Sequence, residues 1–188
     1  MRATVAIAAS TGGPGALATV LSGLGGLAAP VLVVQHLHPD FVEGLVASLG
    51  RVSALPVELA RQGSVLRGGV VYIGPGGTHL KIDGELRIVL DPQPATTHRP
   101  SANELFGSVA TNAGSGGIGV VLTGMGDDGT IGLLALRACG GLTFGQDKAS
   151  CTVFGMPRAA QEAGAVDDLL PVDGIAAAIL RGAKEHGG

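Results

Sequence analysis

The sequence predicts an α/β fold: a doubly wound, mostly parallel, Rossmann-like sheet in a single domain, with an inserted antiparallel hairpin. Three observations support this fold class. Several apolar runs have the length of buried strands, and helical segments follow most of them. The 188 residues are rich in Val, Leu, Ala and Gly and contain no Trp. Two short apolar runs flank Asp83-Gly84, a pair suited to a type I′ hairpin turn. Residues 1–188 are therefore treated as one domain.

The charge balance and the cysteines exclude several classes of protein. The net charge of −3 comes without a basic cluster, which argues against a nucleic-acid surface. The two cysteines, Cys139 and Cys151, have neither metal-site spacing nor the pattern of a disulfide framework. His36 and His38 lie two residues apart, but no further ligand cluster accompanies them. We expect no cofactor and no metal.

The N-terminal region is the one stretch that could be mistaken for a targeting or membrane segment. No charged residue occurs between Arg2 and His36. However, Gly12-Gly13-Pro14-Gly15, Gly25-Gly26 and Pro30 interrupt the run well before the roughly 20 apolar residues of a spanning helix. We therefore expect a cytoplasmic protein without membrane insertion.

The chain begins with a predicted βαβ unit. Residues 5–9 and 31–35 are β-prone apolar runs, and residues 14–21 between them have helical character. Pro14 suits the first turn of a helix, where its missing N–H has no intrahelical partner to lose. Because this is a βαβ unit, we expect the two strands to be parallel, with a right-handed crossover, and their carboxyl ends then share one sheet edge.

The remaining elements follow from periodicity and from Gly and Pro punctuation. Helices are predicted over residues 39–49, 101–113, 131–139, 157–163 and 173–181, and strands over 57–59, 70–73, 80–82, 86–90, 118–122 and 142–144. Ser101 and Glu104 have the spacing of a capping box at the start of their helix. The segment 91–100 carries three prolines and no periodicity, so it is predicted to be a surface loop.

Three polar groups follow predicted strands. Ser10 follows the first strand, His36 the second, and Asp127-Asp128 the strand at 118–122. If these strands are parallel, all three groups emerge at the carboxyl edge, where open α/β sheets bind ligands. A serine, a histidine and a carboxylate are the parts of a nucleophile–base–orienter triad.

Each part also has a structural interpretation that the residues alone leave open. Ser10 could cap the helix that follows it, and His36 could be a satisfied core or loop histidine. Asp127 or Asp128 could cap the next helix or form an Asx turn with Gly129. The Gly-rich turn after Ser10 also suits a phosphate, although the Gly-x-Gly-x-x-Gly fingerprint and the P-loop Lys-Ser/Thr are absent.

Several motifs together resemble the catalytic domain of the chemotaxis protein-glutamate methylesterases, the CheB family. The matching stretches, in the family's order, are Ala9-Ser10-Thr11-Gly12-Gly13-Pro14, Gln35-His36, Tyr72-Ile73-Gly74-Pro75-Gly76, Thr78-His79-Leu80, His98-Arg99-Pro100-Ser101, Leu122-Thr123-Gly124-Met125-Gly126-Asp127-Asp128-Gly129, Gln146-Asp147 and Val153-Phe154-Gly155-Met156-Pro157. Each piece is weak alone, and their joint occurrence over nearly the whole chain is specific.

The resemblance implies roles for individual residues. It implies that Ser10 is the nucleophile, His36 the general base and Asp128 the orienting carboxylate. It also implies that the backbone N–H groups of Thr11 and Met125 form the oxyanion hole. The order Ser–His–Asp along the chain differs from that of the α/β-hydrolases, which disfavours an ordinary lipase or esterase.

The resemblance also implies an activity and a partner. The expected reaction is hydrolysis of glutamyl methyl esters through an acyl-enzyme, with deamidation of glutamine as a second reaction. The expected partner is the cytoplasmic helical bundle of a methyl-accepting chemotaxis receptor.

Two features depart from the family pattern. Family members usually carry an N-terminal phospho-receiver domain, and we expect none in this chain because its first strand begins near residue 4. Leu37-His38 replaces the usual Met-Pro after the base, which puts the fit of the substrate in question. Two alternatives follow: a serine hydrolase of the same fold with a non-chemotaxis ester or amide substrate, and a non-catalytic effector-binding domain.

Overall fold

The structure, a computed structural model, describes residues 3–186, which contain nine strands and six α-helices. The strands are β1 (Thr4–Ala9), β2 (Val31–Gln35), β3 (Val57–Leu59), β4 (Val71–Ile73), β5 (His79–Ile82), β6 (Ile88–Asp91), β7 (Gly117–Val121), β8 (Leu142–Gln146) and β9 (Asp168–Leu170). The helices are α1 (Gly13–Ser22), α2 (Val42–Val52), α3 (Ala102–Ala113), α4 (Thr130–Ala138), α5 (Met156–Glu162) and α6 (Val172–His186).

Seven strands form one parallel sheet in the order β3-β4-β2-β1-β7-β8-β9. Strand β1 lies at the centre. The chain leaves it toward β2 on one side and later returns to β7 on the other. The direction of winding therefore reverses between β1 and β7, and ligands of open α/β sheets bind at such a switch point. The predicted doubly wound parallel sheet is confirmed.

The two faces of the sheet are covered by different helices. Side chains from α1, α2 and α6 pack with Val5, Ile7 and Ala9 on one face. Side chains from α3, α4 and α5 pack with Ala6 and Ala8 on the other. Both faces of β1 are buried, which is why its sequence is continuously apolar.

Strands β5 and β6 form the predicted antiparallel hairpin outside the main sheet, although its turn differs from the prediction. Ile82 pairs with Ile88, so five residues connect the strands and not the two of a type I′ turn. The Asp83 side chain accepts hydrogen bonds from the backbone N–H groups of Glu85 and Arg87, and Leu86 takes the positive φ of 55°. An Asx-type arrangement thus replaces the turn expected at Asp83-Gly84.

Element boundaries differ from the predictions by a few residues. The segment that starts at Pro39 opens with a 3₁₀ turn, and α2 continues through Gly50 to Val52. The short edge strand β9 was not predicted, because Asp168–Leu170 offers only three residues of pattern. Within residues 3–186, no helix is long and apolar enough to cross a membrane.

Candidate active site

The ends of β1, β2 and β7 bring together the polar residues that the sequence placed at one sheet edge. The His36 N–H donates to the carbonyl of Ala9 at 3.0 Å, so the residues that follow β1 and β2 stay in parallel register. The Ser10 N–H donates to the carbonyl of Thr123 at 2.9 Å, which ties the turn after β1 to the loop after β7. These backbone bonds fix the three segments independently of any side-chain contact.

His36 and Asp128 form a buried hydrogen-bonded pair. The distance from His36 Nε2 to Asp128 Oδ2 is 2.7 Å, and the two side chains are 7% and 8% exposed. The pair joins two segments that lie 92 residues apart in the chain. Asp127, its neighbour in sequence, is exposed, and its carbonyl accepts from the N–H of Thr130 at the start of α4. The structure therefore pairs His36 with Asp128 and leaves Asp127 at the surface.

The Asp128 carboxylate also caps helix α3. Its oxygens accept from the Ser101 hydroxyl at 2.7 Å and from the N–H groups of Ala102 and Asn103 at 2.7 and 3.1 Å. Helix N-termini present free N–H groups and a positive end of the dipole, so they stabilise an anion there.

The environment of Asp128 keeps the carboxylate ionised. Its burial is the largest single influence and acts to raise the pKa. Hydrogen bonds from His36, Ser101 and the first turn of α3 together outweigh the burial and lower the pKa of Asp128 to about 2. At neutral pH, Asp128 is thus an acceptor only.

This charge state defines the tautomer of His36. Because Asp128 can only accept, Nε2 of a neutral His36 carries the proton and Nδ1 carries the lone pair. Nδ1 is buried and has no hydrogen-bond partner among residues 3–186. The ring therefore holds one unused acceptor inside the site, which is the arrangement that a general base needs.

Ser10 lies in a tight turn between β1 and α1. Its carbonyl accepts from the Gly13 N–H and from Gln35 Nε2, both at 2.8 Å, and Gly12 adopts a positive φ of 80°. In the described part of the chain, the Ser10 hydroxyl forms no hydrogen bond, including none to His36. Ser10 is only partly buried, so the hydroxyl is reachable from the surface.

Two backbone N–H groups beside Ser10 are unused. Within the described segment, the amides of Thr11 and Met125 donate to no acceptor, and both residues are exposed. The Thr11 N–H shares its peptide unit with the Ser10 carbonyl, and the bonds that this carbonyl accepts from Gly13 N–H and Gln35 Nε2 fix that peptide. A Cβ on Gly124 would lie 2.7 Å from Ser10 Cβ, so the loop that carries the Met125 amide touches the serine. Free N–H groups in fixed positions are the components of an oxyanion hole.

The Ser101–Glu104 capping box is only half realised. Ser101 is the N-cap and accepts from the Asn103 N–H, as predicted. Glu104, however, pairs with Lys81 at 2.8 Å, and the Ser101 N–H donates instead to Nδ1 of the buried His79. His79 Nε2 donates to the carbonyl of Pro94 at 2.7 Å, so this histidine joins the helix cap to the loop before it.

Several residues without a predicted role shape the site. Gln35 Nε2 bonds both the Ser10 and the His36 carbonyls, at 2.8 and 3.1 Å. The ring of His98 lies flat on that of His36, with the centroids 3.9 Å apart and the planes 2° from parallel. His98 belongs to one of the motifs that carry the family resemblance, but a loop without periodicity gives no signal of what its side chains contact.

Two cavities bear on where a ligand could bind. One, of about 340 Å³, is lined by His36, Leu37, His38, Thr97, His98, Arg99 and Pro100. A larger one, of about 660 Å³, lies at the amino-terminal edge of the sheet, where Thr4 and Pro30 line it. The smaller cavity is the relevant one, because His36 lines it. Among residues 3–186, no three His, Cys, Asp or Glu side chains are grouped to hold a metal ion.

Comparison with known proteins places this geometry in a family. The family model described as CheB methylesterase matches residues 5–179. The chain is 46% identical over 189 residues to "Protein-glutamate methylesterase/protein-glutamine glutaminase of group 3 operon" of Rhizobium meliloti, covering 98% of this chain and 53% of the relative. It is 47% identical to "Protein-glutamate methylesterase/protein-glutamine glutaminase 3" of Anaeromyxobacter dehalogenans, covering 92% and 51%. The chain thus spans about half the length of these relatives.

A solved structure agrees over the whole fold. The crystal structure of the Thermotoga maritima CheB methylesterase catalytic domain superposes with a TM-score of 0.93 at 35% sequence identity. The alignment covers 96% of this chain and 98% of that domain.

Proposed function

Because this chain belongs to the CheB methylesterase family, we propose that it hydrolyses glutamyl methyl esters on a chemotaxis receptor. The proposed products are the glutamate side chain and methanol. The curated relatives are also named glutaminases, so deamidation of glutamine side chains at the same site is part of the proposal. The proposed partner is the cytoplasmic helical bundle of a methyl-accepting receptor.

One observation carries the proposal: the ionised, buried Asp128 holds His36 Nε2 at 2.7 Å and leaves a buried Nδ1 lone pair. A serine hydroxyl becomes an effective nucleophile when a neighbouring imidazole accepts its proton. Asp128 then stabilises the imidazolium that forms during attack and maintains the tautomer before it. In this arrangement His36 Nδ1 is the base nitrogen and Nε2 is the anchored one.

The proposed reaction proceeds in two acyl transfers. Ser10 Oγ attacks the ester carbonyl while its proton passes to His36 Nδ1, and the carbonyl oxygen becomes an oxyanion. The N–H groups of Thr11 and Met125 stabilise that oxyanion. The tetrahedral intermediate collapses to an acyl-enzyme as methanol leaves with the proton from His36. Water then attacks the acyl-enzyme by the same route and releases the glutamate side chain.

The mechanism requires the Ser10 hydroxyl to turn toward Nδ1 when substrate enters. Hydrogen bonds between nucleophile and base are often long in structures without substrate and form fully only in the complex. The Ser10 backbone is held by hydrogen bonds with Thr123, Gly13 and Gln35, so the turn keeps its place while the side chain adjusts.

The decisive measurement is methanol release from methylated receptor by the wild type and by Ser10→Ala. We expect the substitution to reduce the rate by roughly four orders of magnitude, as removal of a triad nucleophile does. Ser22→Ala is the matched control, because Ser22 lies at the exposed far end of α1 and bonds only the Thr19 carbonyl. It should retain the wild-type rate.

Three results would contradict the proposal. Equal methanol release by the wild type and Ser10→Ala would exclude the serine mechanism. Turnover of a simple ester that depends on Ser10, without release from methylated receptor, would point to a serine hydrolase with another substrate. An effector-binding domain without catalysis would turn over neither substrate.

A further inference from the structure

His98 contacts His36, the proposed base, but it has no role in the proposed reaction. Its ring stacks on His36 at a centroid distance of 3.9 Å, with the planes only 2° apart. The His36 side chain is 7% exposed, whereas His98 as a whole is exposed. His98 therefore covers one face of the His36 ring while its own outer face meets solvent.

We propose that His98 is a positioning residue for the base: its ring sets the plane of the His36 imidazole and thereby the direction of the Nδ1 lone pair. This inference rests on the proposed function. Asp128 holds the His36 ring through a single hydrogen bond at Nε2. One hydrogen bond leaves the imidazole free to tilt about the bonded atom, and a flat contact on the face removes that freedom.

The loop that carries His98 is anchored by other groups. The His79 ring donates to the Pro94 carbonyl at 2.7 Å, and the Thr96 hydroxyl donates to the His98 carbonyl at 2.6 Å. The Gly77 N–H donates to the Arg99 carbonyl at 3.1 Å. The backbone of His98 is thus held without any contribution from its side chain, so the ring can be changed while the loop is kept.

The surroundings of His98 favour a neutral ring, chiefly through its partial burial. Partial burial of the ring, followed by the neighbouring His36, lowers the pKa of His98, against the opposing attraction of Asp128 and Asp127. His38 and Arg99 line the same cavity and are the other titratable or charged groups there. A neutral His98 can stack on His36 without repelling the imidazolium that forms in the reaction.

Three variants separate the contact from the chemistry of the ring. His98→Ala removes the stacked group, whereas His98→Phe restores a flat ring that can neither accept nor release a proton. His186→Ala is the matched control, because His186 ends α6, and Lys184 in the last turn of that helix lines the cavity at the opposite edge of the sheet. Equal thermal unfolding midpoints would show that the fold is intact in each variant.

The kinetic readout is hydrolysis of methylated receptor. We expect His98→Ala to lower kcat by roughly tenfold to a hundredfold with little change in KM, because a misdirected base slows attack. His98→Phe should recover most of that loss and keep the pH profile of kcat unchanged. Wild-type activity in His98→Ala, or a His98→Phe variant as slow as His98→Ala, would overturn the proposal. A shifted pH profile in His98→Phe would also overturn it, since it would assign His98 a part in proton transfer.

A second readout is independent of catalysis. In protein labelled with ¹⁵N-histidine and carrying Ser10→Ala, we expect the His36 Nε2 proton to exchange slowly with water. Exchange should accelerate at least tenfold in His98→Ala and stay slow in His98→Phe, since only the first exposes the ring and frees its plane. Identical exchange in both variants would refute the role of His98. This measurement still decides the question if the wild type proves inactive on methylated receptor, in which case the proposed function alone fails.

Discussion

Asp128 and Asn103 cap each other's helices. Asp128, just before α4, accepts from the N–H groups of Ala102 and Asn103 at the start of α3. In return, Asn103 Oδ1 accepts from the N–H groups of Gly129 and Gly132 at the start of α4, both at 3.0 Å. The same exchange that joins the two helices also holds the carboxylate against His36. Stability and the geometry of the candidate triad are therefore coupled at this point.

The coupling predicts a double effect of Asn103→Ala. Loss of the two acceptor bonds should lower the free energy of unfolding by about 1–2 kcal/mol, as removal of a helix cap does. The activity per folded molecule should also fall several-fold. Gly129 follows Asp128 directly, so loss of the bond from the Gly129 N–H leaves the Asp128 carboxylate less firmly positioned against His36. Urea unfolding and ester hydrolysis measure the two effects.

Asn112→Ala is the control for Asn103→Ala. Asn112 Nδ2 bonds the carbonyls of Ile82 and Ser108 elsewhere on α3 and its neighbour β5. Its removal should cost about 1 kcal/mol of stability and leave activity per folded molecule unchanged. The coupling would be disproved if Asn103→Ala destabilised the protein to the same extent without a loss of activity.

Replacement by Asn should lower kcat strongly at Asp128 and only slightly at Asp127. Asp128→Asn replaces an anion that accepts four hydrogen bonds by a neutral amide, so it should lower kcat by about 10⁴-fold. Asp127→Asn changes an exposed side chain and should alter kcat only a few-fold. Steady-state kinetics on methylated receptor compare the two, and a comparable loss in both would reject Asp128 as the specific partner of His36.

The low pKa of Asp128 predicts how stability changes with pH. Its pKa is about 2 in the folded protein, against an ordinary value of 3.8. A depressed folded pKa contributes stability above the unfolded value, and that contribution, about 2 kcal/mol, is lost as the pH falls from about 4 to about 2. The wild type should therefore lose stability faster than Asp128→Asn over this range. Urea unfolding at several pH values tests this, and parallel curves for the two proteins would contradict it.

Gly124 should tolerate no side chain. A Cβ there would lie 2.5 Å from Met156 Sδ and 2.7 Å from Ser10 Cβ. Gly124→Ala should therefore displace Ser10, lower activity at least tenfold and cost roughly 1–3 kcal/mol of stability through overpacking. Gly107→Ala is the control, since a Cβ at that position of α3 meets nothing within 4 Å. It should keep full activity and gain about 0.5–1 kcal/mol. Normal activity in Gly124→Ala would contradict this prediction, because it would show that the loop accommodates the added Cβ without displacing Ser10.

The local pattern of the chain was sufficient to predict most elements of the sheet and the helices. Continuous apolar runs identify strands that are buried on both faces, and the helices alternate with them. Strand β9 was missed because three residues carry too little pattern. The hairpin turn was wrong because the Asp83 side chain, by bonding two backbone N–H groups, stabilises a longer connection than the local Asp-Gly pair suggests.

By itself, the sequence determined that Ser10, His36 and the Asp127-Asp128 pair each follow a strand, and it predicted that they emerge at one edge if those strands are parallel. Helical crossovers connect parallel strands, and the carboxyl ends of parallel strands lie at the same edge of the sheet. Only the tertiary structure decided which aspartate meets His36, because the N-terminus of α3, some 26 residues earlier, supplies the donors that hold Asp128. It also decided which His36 nitrogen is free and that His98 covers the ring. Both depend on contacts between distant segments, and no local periodicity encodes them.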